Sequence, residues 1–332
     1  MNPARGWLWF IASASAVFAG ESAPVYSKSD EVRVLMERVA DWQLAHPATH
    51  PRDGWVQAAG YTGIMALAEI STRSRYHDAM MKMAADNQWK PAKRIYHADD
   101  HCVLQTYAEL YFQHRDPAMI APAIARFDDI LAHPMDDRLE FVGPQKNDRW
   151  AWCDSLFMGP PAWLKLWQAT GKAAYLDFVV TNWWKTSGYL YDQDEHLYYR
   201  DSTYFDKREA NGKKVFWSRG NGWVLGGLVR VLQVLPADHP ARARFEQQFR
   251  EIAARVVTLQ PSDGFWHSSQ KSVPLARIRT PTTTAYGIES EDYSPVYSPE
   301  DYFQKPPSNW TSHANGIQLY GTLSQRLVRP FP

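Results

Sequence analysis

The sequence VQAAGYTGIMALAEISTRSRYHDAMMKMAADNQ, residues 56–88, contains two helical patterns joined by a short polar segment. Apolar residues recur at spacings of three and four in residues 56–70 and again in residues 76–88, which is the period of an amphipathic helix. The polar residues 71–74 between them leave room only for a tight connection. This stretch therefore predicts a helical hairpin.

Further helical hairpins follow along the chain, and one helix precedes them from Ser29. The predicted pairs occupy residues 102–111 with 119–131, 156–169 with 173–184, and 223–235 with 241–259. Two of the units, beginning at Gly60 and at Asp154, resemble each other weakly. Because the units recur at uneven intervals of roughly 40 to 65 residues, the pattern favours a ring of hairpins over a regular solenoid.

The sequence thus predicts an all-α fold of the (α/α)6 type, a barrel built from six hairpins. Nine helices are predicted before residue 260, three fewer than such a barrel contains. Loops at one end of its inner helices surround a central cavity, so functional residues are expected there. Residues 29–332 are interpreted as a single domain, with an irregular segment and short strands between Gly188 and Trp217.

The two ends of the chain depart from this pattern. Residues 1–19 combine Arg5, an apolar run and small residues at cleavage-like spacing, so we interpret them as a secretory signal peptide; an N-terminal extension is the alternative. Export would place the protein in the periplasm or outside the cell. After Trp266 the helical period is weak, proline is frequent, and residues 317–328 form one late apolar stretch.

Composition restricts the function further. The 332 residues contain 36 Lys+Arg and 36 Asp+Glu, so no net positive charge favours nucleic acid or an acidic membrane surface. Six of the 15 tryptophans lie between Trp150 and Trp184, which is compatible with core packing and also with stacking on sugar rings. Cys102 and Cys153 are the only cysteines, so a cysteine-based zinc cluster is excluded, while two thiols or one disulfide both remain open.

Three polar segments precede predicted helices: residues 97–101, 150–155 and 217–223. An Asp or Ser at such a position commonly caps the helix, which is the simplest interpretation of each one alone. In the third segment, Gly220 and Gly222 indicate a backbone that passes close to another group. Ser155 lies in no Gly-x-Ser-x-Gly elbow, so serine catalysis is disfavoured.

Carboxyl groups are the better candidates for chemistry. A carboxyl held among Trp150, Trp152 and Phe157 would be desolvated, and desolvation favours the protonated form that a general acid needs. A metal site is the alternative for the first segment, because imidazole and carboxylate are common ligands. Its possible ligands are His97, Asp99, Asp100 and His101.

The three segments together resemble glycoside hydrolase family 105, the unsaturated rhamnogalacturonyl hydrolases, and the related unsaturated glucuronyl hydrolases of family 88. The matching stretches are HADDHCVLQTYAELY (97–111), WCDSLFMGPP (152–161) and VFWSRGNGW (215–223). The resemblance covers roughly residues 30–267 and implies an (α/α)6 barrel that needs no metal or organic cofactor. Residues 268–332 diverge from the family pattern.

The resemblance also implies the site residues. Asp154 matches the catalytic aspartate and Asp99 a second active-site aspartate, with the neighbouring Asp100 as a less direct match. The implied substrate-binding residues are Trp152, His196, Arg219 and Trp223. The implied reaction releases unsaturated uronic acid from lyase-generated, pectin-type oligosaccharides, with Asp154 as general acid and base on the C4=C5 double bond.

Two other functions remain open at this point. A sugar 2-epimerase on a similar barrel would use histidine bases, for which His97 and His101 are the candidates. A non-catalytic sugar-binding protein would bind oligosaccharides without forming product. An oligosaccharide partner is expected in each case, whereas nucleic acid is not, nor is a membrane once the signal peptide is removed.

Overall fold

The computed structural model describes residues 28–135, 138–143 and 149–260, together with Trp266 and Ser269. The predicted signal peptide and, apart from Ser269, the divergent segment 268–332 lie outside these residues. The helices in the described ranges are α1 (Lys28–Ala45), α2 (Trp55–Ile70), α3 (Arg75–Asp86), α4 (Ala98–His101), α5 (Leu104–His114), α6 (Ala121–Ala132), α7 (Ser155–Met158), α8 (Pro160–Thr170), α9 (Ala173–Leu190), α10 (Ser218–Val234) and α11 (Arg242–Leu259).

In the described part of the chain, four helical hairpins lie side by side. Helices α2, α5, α8 and α10 pack against one another in sequence, and each of α3, α6, α9 and α11 packs against at least one helix of this row. Helix α1 packs against α2. Counting only helices longer than one turn, the described part of the chain contains the nine that were predicted. The predicted all-α class is confirmed.

Short strands occupy part of the irregular segment, as predicted. Strands β1 (Tyr191–Asp192) and β2 (Leu197–Tyr198) pair in antiparallel fashion, with Tyr191 opposite Tyr198. Single 3-10 turns lie at Pro117–Met119 and Ser202–Tyr204. Among the described helices, none is long and apolar enough to cross a membrane.

Several helix boundaries differ from the prediction. The predicted helix 156–169 is divided into α7 and α8 at Gly159, because Pro160 has no N–H to continue the ladder and suits the first position of a new helix. Helix α9 continues to Leu190, six residues beyond the predicted end. Helix α10 begins at Ser218, five residues before the predicted start.

The early start of α10 depends on tertiary contacts. Glycine is a poor helix former, so Gly220 and Gly222 lower the local helix propensity and obscure this start in the sequence. The buried side chain of Asn221 compensates, since its amide accepts from the backbone N–H of Tyr198 at 2.8 Å and donates to the carbonyl of Tyr198 at 3.0 Å. These bonds fix the first turn of α10 to strand β2.

An aromatic stack fills the core beside α8. The fully buried Trp163 stacks on Phe127 at a centroid distance of 3.8 Å and on Phe178 at 4.0 Å. Burial of such rings contributes on the order of 2–3 kcal/mol each. Trp163 is therefore a core packing residue, so this part of the tryptophan cluster does not contribute to a sugar site.

Helices α7 and α10 approach each other unusually closely. A Cβ added to Gly227 of α10 would lie 2.2 Å from the carbonyl oxygen of Leu156 in α7. Only glycine permits this backbone contact. In the first turn of α10, Gly220 lies similarly close to the sulfur of Cys153, which precedes α7.

Candidate active site

The three polar segments come together at the N-terminal ends of neighbouring inner helices. Helix α4, just before α5, packs against α7, and α7 in turn packs against α10. The ring of Trp152, which precedes α7, lies 4.7 Å from the ring of His97, which precedes α4. The structure thus joins three segments, 97–101, 150–155 and 217–223, that are far apart in the chain.

Asp154 stands directly before α7, but its side chain makes no capping hydrogen bond. The residue is 9% exposed. Burial raises the pKa of its carboxyl group to about 6, against the attraction of Arg219, a hydrogen bond from Cys153 and the charge of Arg200. A carboxyl with this pKa exchanges protons near neutral pH, as general acid–base catalysis requires.

Asp99 lies in the first turn of α4, and its side chain is 15% exposed. Burial and the negative charge of Asp154 raise the pKa of Asp99 to about 8, although Arg94 opposes the shift. The cap of this helix is supplied by His97, whose Nδ1 accepts from the backbone N–H of Asp99 at 3.3 Å. Neither carboxyl group is therefore used to cap a helix. Between a pH of about 6 and a pH of about 8, the two aspartates together hold one proton.

Arg219 lies in the first turn of α10, and its charge is the strongest of those that oppose the rise in the pKa of Asp154. The guanidinium carbon lies 4.2 Å from the ring centroid of Trp217. A Cβ on Gly220 would come within 2.7 Å of that same ring, whereas Gly222 has open space around it. The predicted close approach is therefore confirmed for Gly220 and wrong for Gly222.

Two tryptophans were predicted to contact the substrate. Trp223 follows Arg219 by one helical turn and so lies on the same face of α10. It is partly buried, with its ring centroid 4.7 Å from that of Phe157. Trp152 is only 9% exposed and packs against His97, so Trp223 presents more surface to a ligand.

Asp100 and His101 have structural partners. The carboxylate of Asp100 accepts from the backbone N–H of Arg94 at 2.6 Å and from its Nε at 2.9 Å. In His101, Nε2 lies 2.8 Å from the carbonyl of Ile95, and Nδ1 accepts from the indole N–H of Trp163 at 3.4 Å. Burial lowers the pKa of His101 to about 4, so its ring stays neutral and links the loop before α4, through Ile95, to α8, through Trp163.

His196 lies in the turn between the two strands, with a left-handed φ of 52°. Its Nδ1 is 3.1 Å from the hydroxyl of Tyr191 and 3.8 Å from the carboxylate of Glu251. These partners belong to β1 and α11, and neither is one of the segments that carry Asp99, Asp154 and Arg219. A role for His196 in substrate binding stays a prediction.

Arg200 is a charged residue of this region that the sequence did not single out. Its carbonyl accepts from the backbone N–H of Cys153 at 2.8 Å, and its Nε donates to the fully buried Asp201 at 2.6 Å. The guanidinium lies over the ring of Tyr204 at 4.8 Å. No short motif marks this arrangement, because it depends on a contact between segments almost fifty residues apart.

A metal centre was the alternative for the first segment. Within the described residues, no group of three or more His, Cys, Asp or Glu side chains is arranged to hold a metal ion. Cys102 and Cys153 are both buried free thiols, so the disulfide left open by the sequence is not formed.

Comparison with known proteins agrees with the motifs. Residues 28–272 match the profile of Glycosyl Hydrolase Family 88. A protein of Alteromonas sp. (strain LOR), named unsaturated 3S-rhamnoglycuronyl hydrolase, is 30% identical over 298 residues, which are 82% of this chain and 71% of that protein. A protein of the same name from Formosa agariphila is 34% identical over 251 residues, which are 72% of this chain and 66% of that protein.

Solved structures extend the likeness to the fold. A protein named polysaccharide lyase is 32% identical, with a TM-score of 0.66 over 74% of this chain and 71% of its own. A glycosyl hydrolase family 88 protein from Bacteroides vulgatus is 27% identical, with a TM-score of 0.65 over 74% and 72% of the two chains. The sequence profile, the curated relatives and the solved structures agree with the three motifs, and the chain belongs to glycosyl hydrolase family 88.

Proposed function

We propose that this protein removes an unsaturated uronic acid from the non-reducing end of an oligosaccharide by hydrating the C4=C5 double bond of that sugar. The observation that carries the proposal is the buried pair Asp154 and Asp99, whose pKa values are raised to about 6 and about 8. Such a pair keeps a proton available near neutral pH. The guanidinium of Arg219 beside it suits a uronate carboxylate, which accepts two parallel hydrogen bonds.

The proposed reaction uses Asp154 twice. Its protonated carboxyl donates a proton to C4, where the electron pair of the double bond forms the new C–H bond and leaves positive charge shared by C5 and the ring oxygen. The carboxylate then accepts a proton from a water molecule whose oxygen bonds to C5. Since one group serves as acid and base, the carboxyl separations that distinguish retaining from inverting glycosidases do not apply.

Release of the remaining sugar follows from the hydration product. The hemiketal at C5 opens by breaking the bond between C5 and the ring oxygen, which leaves a ketone at C5 and a hemiacetal at C1. The hemiacetal collapses to an aldehyde and expels the neighbouring sugar as an alcohol. One water molecule is consumed, and Asp154 ends in its starting protonation state.

Asp99 has a different role in this proposal. With a pKa of about 8, it stays protonated while Asp154 cycles. A neutral Asp99 adds no second negative charge beside an anionic substrate, and its O–H can donate to a substrate oxygen. Trp223 offers its partly exposed ring for stacking on a sugar face.

We further propose that the sugar next to the unsaturated uronic acid is rhamnose, either plain or 3-sulfated. The two curated relatives are both named unsaturated 3S-rhamnoglycuronyl hydrolases, which supports a uronyl–rhamnose linkage here. The pectin-type rhamnogalacturonan disaccharide implied by the sequence resemblance also joins an unsaturated uronic acid to rhamnose, without sulfate.

The alternatives are less well supported by the site. An epimerase would need free histidine bases, but both ring nitrogens of His101 have partners, and His97 is buried with Nδ1 as a helix cap. A lyase, the activity in the name of one structural neighbour, would create a double bond, not consume one. A non-catalytic binding protein would not need two aspartates with raised pKa values.

The test is turnover of a panel of lyase-generated disaccharides by the wild type and by Asp154→Asn. Unsaturated uronyl–rhamnose, its 3-sulfated form and unsaturated uronyl–glucose differ only in the neighbouring sugar. We expect the wild type to consume the two rhamnose substrates and Asp154→Asn to be at least a thousandfold slower, in line with the loss of an acid–base group and its charge. Equal rates for the two proteins would refute the assignment of Asp154, and binding without any turnover would identify a sugar-binding protein.

A further inference from the structure

The residue before Asp154, Cys153, is bound to the site through its side chain and its backbone. Its sulfur donates a hydrogen bond to Oδ1 of Asp154 at 3.4 Å. Its backbone N–H donates to the carbonyl of Arg200 at 2.8 Å. The residue is fully buried, and burial raises the pKa of the thiol well above its ordinary value. The thiol therefore remains protonated at neutral pH and is available as a donor.

The position of this sulfur is restricted by helix α10. A Cβ on Gly220 would lie 2.6 Å from Sγ of Cys153, so only a glycine leaves room for the sulfur at this point. Gly220 directly follows Arg219 in the chain. The sulfur is thus held between the carboxyl group of Asp154 and the turn of α10 that carries Arg219.

We propose that Cys153 is a positioning residue for the hydration reaction: its thiol fixes the orientation of the Asp154 carboxyl group relative to Arg219 and favours the carboxylate that accepts a proton from water. This inference rests on the proposed function. A donor to one carboxylate oxygen stabilises the ionised form and restricts rotation of the group. Without the donor, Asp154 gives up its proton less readily, and its carboxyl group is held less firmly toward the substrate.

Three variants test the inference. Cys153→Ala removes the donor, Cys153→Ser keeps a donor of similar shape, and Cys102→Ala is the matched control. Cys102 is equally buried, and the contact described for its sulfur is an approach of the Gln105 amide at 3.8 Å. The control therefore removes a buried thiol of the same size without removing a hydrogen bond to a carboxylate.

We expect Cys153→Ala to lower kcat by roughly threefold to tenfold with little change in KM, the effect of one lost hydrogen bond. The pH at which kcat/KM falls to half should move upward by about half a unit, since the pKa of Asp154 rises. Cys153→Ser should return this pH to within error of the wild-type value. Cys102→Ala should lower the thermal stability without moving the pH profile.

Two results would overturn the inference: an unchanged pH profile in Cys153→Ala, or the same shift in Cys153→Ala and Cys153→Ser. Failure of the proposed function would look different, because the wild type would then consume no substrate. In that case the pH dependence of thermal stability still reports the pKa of Asp154. If the pH midpoint of the change in thermal stability is equal in the wild type and in Cys153→Ala, the role of the thiol is refuted independently of turnover.

Discussion

Replacing Asp154 with Asn is expected to stabilise the folded protein at neutral pH while it removes activity. Burial raises the pKa of this carboxyl from 3.8 to about 6. Between these two values the unfolded chain loses a proton that the folded protein keeps, so the wild type loses stability as the pH rises through this window. Asn has no proton to lose, and its side chain resembles the neutral carboxyl group.

The size of the gain follows from the shift in pKa. Each pKa unit corresponds to about 1.4 kcal/mol. A shift of roughly two units therefore means that, above pH 6, the ionised carboxyl lowers the free energy of unfolding of the wild type by about 3 kcal/mol. Loss of the carboxyl group's own hydrogen bonds offsets about 1 kcal/mol. The expected net gain of about 2 kcal/mol corresponds to a rise in Tm of roughly 3 °C at pH 7 for a chain of this length. At pH 4 the carboxyl group is neutral in the folded protein, so the variant should be no more stable than the wild type.

Thermal unfolding followed by circular dichroism between pH 4 and pH 7.5 measures this difference. Asp128→Asn is the matched control, because the pKa of Asp128 is shifted in the opposite direction. Lys172 and Tyr175 donate hydrogen bonds to the Asp128 carboxylate and lower its pKa. That variant should be less stable than the wild type at neutral pH and equal to it in acid. An Asp154→Asn protein that is no more stable than the wild type at pH 7, or equally stabilised at pH 4 and pH 7, would refute the reasoning.

Three further predictions concern the neighbouring groups. Arg219→Gln should raise KM roughly tenfold to a hundredfold through loss of a charge-assisted bond to the uronate, whereas Arg219→Lys should raise it less; steady-state kinetics measure both. Gly220→Ala should destabilise the fold by about 1–3 kcal/mol in urea unfolding, because its Cβ would overlap Cys153, while Gly222→Ala should not. In the wild type, kcat/KM should fall about tenfold per pH unit above a pH of about 6, as Asp154 loses the proton that it donates; a flat profile between pH 6 and pH 8 would contradict this role.

Much of the fold could be predicted because helical periodicity is a local property. Apolar spacing located the nine long helices, since each buries one face against its neighbours. Apolar spacing did not predict the helix boundary where tertiary contacts outweigh helix propensity, as at the start of α10. There, the hydrogen bonds of Asn221 to Tyr198 and the close packing at Gly227 compensate for glycines that disfavour a helix.

The site was predictable to the extent that its residues lie in contiguous motifs. Asp99, Asp154 and Arg219 occur in three separate segments, and the structure brings those segments together. Hydrogen-bond partners are not encoded in spacing, so the sequence left Asp100 as a further candidate for the site, whereas the structure shows its carboxylate bonded to Arg94. Arg200 was missed for a related reason, because its connection to Cys153 is a backbone contact between distant segments.

Simultaneous measurement of double-bond absorbance and released sugar tests the central claim most directly. Hydration destroys the conjugated double bond, so the account predicts that each molecule of sugar released from an unsaturated uronyl–rhamnose disaccharide is matched by loss of one absorbing double bond. Ordinary hydrolysis of the glycosidic bond would release sugar first, and the absorbance would fall only afterwards, as the free unsaturated uronic acid opens to an enol and becomes its keto form. Sugar release that runs ahead of the loss of absorbance, or an increase in absorbance with longer substrates, would contradict hydration as the first step.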